Sequence, residues 1–162
     1  MIKIALILVL TISGCSTAGQ SQMLPITQNT IMSDNNAIAQ VTKVEVTGQN
    51  NSYTFAVTVD SPDTGCDRYA DWWEVITPKG ELIYRRVLLH THVDEQPFKR
   101  TGGAVKIKPQ QEVIVRVHMS PDGYSSLAQK GTVESGFVST TLSEGFAADL
   151  ESVEPLPQNC AF

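Results

Sequence analysis

Charge, cysteine and long apolar runs are all scarce in this chain, and each shortage excludes something. Charged residues make up only 18% of 162 residues, with 12 Lys and Arg against 17 Asp and Glu, a formal net charge of −5. A chain this acidic is a poor partner for nucleic acid, which needs clustered cations to displace counterions. Three cysteines cannot build a dense disulfide framework. A chain of this length does not need one to bury a single sizeable core. The longest apolar run, residues 4–10, is far short of the ~20 residues that span a bilayer. No nucleophile elbow, phosphate-cradling glycine loop or credibly spaced Ser-His-Asp set occurs, so no catalytic residue is singled out. The 41% hydrophobic content marks a globular chain, not a disordered one.

The first 14 residues have one cation, Lys3, then the apolar run, then the small residues Ser13 and Gly14 before Cys15. That is the layout of a secretory signal. The junction Ile12-Ser13-Gly14-Cys15 resembles the lipobox of bacterial lipoproteins, although an ordinary signal peptide with a chance cysteine would read similarly. The resemblance implies cleavage before Cys15, diacylation of its sulfur and acylation of the new amine. Ser16 follows, where Asp would signal inner-membrane retention, so the same resemblance implies an outer-membrane protein facing the periplasm. From 16 to 33 there is no charged residue, which reads as a tether with a reach of about 25 Å. The expected division is therefore 1–14 signal peptide, 15–38 lipidated Cys15 and tether, and 39–162 a single folded domain.

Beyond residue 38 helical periodicity is nearly absent and alternation is common. Tyr53, Phe55, Val57 and Val59 alternate with smaller or polar residues, and so do Val113, Val115 and Val117. Both segments read as half-buried strands. Further strands are expected at 41–47, 72–77, 82–89, 105–108 and 132–141. Pro78-Lys79-Gly80 should turn a hairpin between two of them. About seven short strands separated by turns predict an all-β fold, an antiparallel sandwich or small barrel, with an immunoglobulin-like sandwich favoured. One helical turn is expected around 144–150, followed by a proline-bracketed tail.

With Cys15 lipidated, Cys66 and Cys160 are left, and an oxidising envelope favours their pairing over two separate buried thiols. The bond would close a loop of about 94 residues, worth up to ~4.7 kcal/mol in the chain-entropy account, and would staple the tail to the sandwich.

The densest polar and aromatic stretches are 66–75 and 90–98. Tyr69-Ala70-Asp71, Trp73-Glu74-Val75 and His90-Thr91-His92-Val93-Asp94-Glu95-Gln96-Pro97-Phe98 resemble an uncharacterised family of small bacterial proteins. That family carries Tyr-Ala-Asp-x-Trp-Glu-Val and His-x-His-x-x-Glu-Gln-Pro-Phe, and the likeness implies a shared domain without an activity. In an extended backbone His90 and His92 share a face. With Glu95 and His118 they are candidate ligands for zinc or copper. The spacing faintly resembles the first cupin motif, a remote metalloenzyme reading, but Tyr84 stands where that motif has Gly. The favoured reading is structural: the His, Asp and Glu side chains knit a loop to the backbone, while Phe98 plugs the core. Asp71 and Glu74 are expected to pair with Arg85, Arg86 or Arg116 across strands. Of the adjacent Trp72 and Trp73 one should face outward, where with Tyr69 it would offer a binding surface unless a loop covers it.

Together these features predict a lipid-anchored envelope protein whose sandwich binds a partner or plays a structural part. Its partners would be the membrane, through the anchor, and an envelope protein. No cofactor is expected on that reading; the alternative, an envelope metal-binding protein using the His90/His92 strand, would take zinc or copper.

Overall fold

Strand β2 (Ser52–Asp60) shows how the sequence pattern becomes a sheet: Tyr53, Phe55, Val57 and Val59 are buried while Ser52, Thr54 and Asp60 are exposed. The computed structural model describes residues 38–161. In it β1 (Gln40–Gln49) and β5 (Phe98–Val105) flank β2 on either side, both antiparallel. The second sheet has the order β4-β3-β6-β8-β9. Its strands are β3 (Tyr69–Ile76), β4 (Leu82–Val87), β6 (Val113–Ser120), β8 (Leu127–Thr132) and β9 (Gly136–Thr141). The two-residue β7 (Gly123–Tyr124) also pairs with β6.

This is the expected immunoglobulin-like sandwich. Strands β1, β2 and β5 take the A-B-E order of one sheet, and β4, β3, β6 and β8 the C′-C-F-G order of the other. Nine strands are present among the described residues, where about seven were expected. Segment 132–141 is not one strand, because Gly136 takes a positive φ of 81° and the chain reverses there. Of the strand expected at 105–108 only Val105, the last residue of β5, is in a strand. The hairpin between β3 and β4 turns at Gly80, whose φ of 87° glycine adopts without steric cost. The helical turn is a short 3₁₀ helix, Ala148–Ser152.

Phe55, Trp73, Val75, Phe98, Val115, Val117 and Met119 fill the space between the sheets. Unlike an ordinary half-solvated antiparallel sheet, this one has a second buried face. Every residue of β3 is buried, and every residue of β6 up to Met119. A strap, residues 142–161, covers that outer face. Its Leu142, Phe146 and Leu150 pack on Ile76 and Ile114. Its end is fixed by the Cys66–Cys160 disulfide, with Cα atoms 5.6 Å apart. Beside the bond, the Ala161 amide donates to the Leu89 carbonyl at 2.6 Å.

Candidate functional site

Two polar clusters lie within this frame. The first is on the strap-covered face. Cross-strand register sets Glu74 opposite Arg85 on one side and Arg116 on the other, as charge pairing across strands requires. Glu74 is fully buried. Its Oε2 accepts from Arg85 Nε and Nη2 at 2.8 and 2.6 Å, and its Oε1 from Arg116 Nε at 2.8 Å. One carboxylate cannot balance two guanidiniums, and the strap backbone takes the surplus. Arg85 donates to the carbonyls of Leu150 at 2.8 Å, Pro155 at 3.2 Å, and Val153. Arg116 donates to those of Phe146 and Ala147 at 2.6 and 2.8 Å.

Arg116 also lies over the Tyr124 ring, 3.4 Å from its centre. Burial, with Glu74 beside it, pushes the Tyr124 phenol up to about 12. Arg86 does not join the cluster; it donates instead to the Thr101 and Val87 carbonyls. Asp71 pairs with His118, whose Nδ1 is 2.7 Å from Asp71 Oδ1. The His118 ring stacks on Trp72 with centres 3.8 Å apart, and its Nε2 lies 3.7 Å from Glu151 of the strap.

The second cluster is the corner formed by the β2–β3 and β4–β5 connections. Its hub is the buried Asp63, which sequence reasoning missed. Asp63 Oδ1 accepts from the Ser61 hydroxyl and, at 2.9 Å, from the Ala70 amide. Oδ2 accepts from the His92 amide at 2.8 Å and from the Thr91 hydroxyl at 3.3 Å. Gln96 completes the corner, accepting from the Ser61 amide and donating to the His92 carbonyl, both at 2.9 Å. In sequence Asp63 sits in Ser-Pro-Asp-Thr-Gly, which reads only as a turn, so nothing local announces its role.

The His92 ring stacks on Phe98, which is buried in the core as expected, with ring centres 3.7 Å apart. Burial, with Arg100 and His90 adding to it, lowers the His92 imidazole to about 4. His90 is exposed and its ring centre is 4.5 Å from that of His92. Both residues border a depression of about 490 Å³ that Thr91, Val93, Asp94, Glu95 and Ala161 also line.

The candidate residues therefore separate. His90 and His92 are brought together. Glu95 lines the same depression, but both its oxygens accept from Arg100, at 3.1 and 2.7 Å, and that guanidinium holds its carboxyl below the usual range. His118 does not join them, being held by Asp71 and Trp72 under the strap. Among the described residues, no group of three or more His, Cys, Asp or Glu side chains is placed to hold a metal ion. Tyr69, Trp72 and Trp73 are all buried, at 5%, 3% and 0% exposure, so none presents an aromatic surface to solvent. Trp73 faces inward against Tyr84, and Trp72 faces outward into the strap-covered cluster. Cys15 lies outside the described residues.

No family model matches the chain, and no solved structure matches it. A curated protein of Halomicrobium mukohataei named "Putative lipoprotein" is 38% identical over 96 residues, covering 57% of this chain and 47% of that protein. The chain thus spans about half the length of that relative.

Proposed function

We propose that this is a lipid-anchored protein of the bacterial cell envelope whose β-sandwich has a binding or structural role. On this reading residues 1–14 are removed, Cys15 carries the acyl chains, 15–38 join anchor to domain, and 39–162 form the working part. Two or three acyl chains make a stable anchor. The observation that carries the reading is the Ser13-Gly14-Cys15 junction directly after a cation and a short apolar run. The name of the relative supports it, as does the Cys66–Cys160 bond, which belongs to an oxidising compartment. Ser16 after the cysteine favours the outer membrane, facing the periplasm.

A binding or structural role fits the use the chain makes of its buried charges. Glu74, Arg85, Arg116, Asp71 and His118 bond to one another, and the two arginines also bind the strap backbone; they fasten an element. The partner this reading expects, besides the membrane, is another envelope protein. Growth with a radiolabelled fatty acid tests it. The wild type should be labelled and membrane-bound, and Cys15→Ala unlabelled, either as uncleaved precursor or in the soluble fraction. Label persisting in Cys15→Ala would contradict the reading.

A further inference from the structure

The corner that holds the two neighbouring histidines is tied together without their rings. Its bonds run through the Asp63 carboxylate, the Gln96 amide and the backbone of His92. The hydrogen bonding expected of this motif is thus carried by other groups, and the imidazole nitrogens are unexplained by it. The His92 side chain is only 1% exposed, yet neither ring nitrogen has a hydrogen-bond partner among the described residues. Buried polar atoms are almost always paired, and an orphan points to a water, an ion or a ligand that completes it.

The geometry of the pair narrows the choice. With a metal–nitrogen bond of about 2.0 Å, an ion lies about 3 Å from the centre of each imidazole that binds it. Two imidazoles in cis positions on one ion then set their centres about 4.5–5 Å apart. The His90 and His92 centres are 4.5 Å apart, at the right-angled end of that range. The Asp63 carboxylate lies 3.9 Å from His92 Nδ1. That is too long for a hydrogen bond, and both Asp63 oxygens already accept from other donors, so neither ring nitrogen is taken by it.

We propose that His90 and His92 form a two-imidazole site for Cu²⁺, with the remaining positions open to water or a small external donor. Cu²⁺ is favoured because tetragonal nitrogen sites suit it and because it binds most tightly among the first-row divalent ions. Affinity matters here, since Glu95 is engaged by Arg100 and the protein supplies only two donors. The depression of about 490 Å³ that both residues line opens on the exposed His90. The site is independent of the anchor, and its failure would leave the envelope reading untouched.

The test is titration of the full-length protein, extracted in detergent, with Cu²⁺ in a non-coordinating buffer, followed by electron paramagnetic resonance. One Cu²⁺ per chain with nitrogen splitting from two imidazoles is expected. His90→Ala, at an exposed position whose backbone bridge to Ala161 the substitution leaves in place, should weaken binding at least tenfold and remove that signature. His92→Phe, which keeps the stack on Phe98, should do the same. Wild-type protein that takes up no Cu²⁺, or a folded His90→Ala protein that binds it with an unchanged spectrum, would overturn the proposal.

Discussion

Glu74 is the residue on which the covered face depends. It is the carboxylate bonded to both buried guanidiniums, and those hold five carbonyls of the strap. Removing one partner of a buried ion pair strands the other charge, at a cost of about 3–5 kcal/mol. Glu74→Ala should therefore lose about that much in urea unfolding, and proteolysis within 142–155 should accelerate. Glu45 makes the opposite case. Lys99 and Lys43 lower its carboxyl to about 2, but the trio is exposed and solvent-screened, so Glu45→Ala should leave stability nearly unchanged. Tyr124 adds a pH dependence. Its phenol ionises near 12 in the folded protein against 10.0 ordinarily. Between those values the unfolded chain releases a proton that the folded chain keeps, so stability falls as pH rises through the window. Tyr124→Phe should remove that part of the slope in unfolding curves measured from pH 9 to 12.

At the scale of elements, what could be read from the sequence followed how much of each strand's environment lay within the strand. Alternation in 53–59 and the turn at Gly80 were legible because one half-buried face and one positive φ have local signatures. Strand β6 was legible as a strand but not as a doubly buried one, because the strap that covers Ile114, Arg116 and His118 is distant in sequence. Strand β8 was missed because Ala128, Gln129, Lys130 and Gly131 have little intrinsic strand preference. Pairing of Glu74 with Arg85 and Arg116 could be anticipated from charge, whereas backbone carbonyl acceptors have no sequence signature at all. Asp63 was hidden for the same reason: two of its four hydrogen-bond donors are backbone amides.

Strand β5 was read too late in the chain because Lys99-Arg100-Thr101-Gly102-Gly103 does not alternate. Its Gly102 is explained by close approach. A Cβ there would lie 2.6 Å from Tyr84 Oη and 3.0 Å from the Trp73 ring. Gly102→Ala should displace that aromatic pair and destabilise the domain by about 1–3 kcal/mol, seen as a lower melting temperature with altered tryptophan fluorescence.

For the whole molecule, the features of the domain favour permanence. A sandwich core, a covered outer face and a disulfide across 94 residues hold one arrangement, and that bond alone contributes up to ~4.7 kcal/mol. A protein displayed outside the reducing cytoplasm gains from such a cross-link, and the proposed anchor would keep it at the membrane. Everything in the functional account rests on that anchor being made. The most direct check is the intact mass and N-terminal fragment spectrum of the protein extracted from membranes. The account predicts a chain that starts at Cys15 and carries diacylglycerol on the sulfur, with residues 1–14 absent. A chain that begins at Met1, or one cleaved elsewhere with an unmodified Cys15, would contradict it.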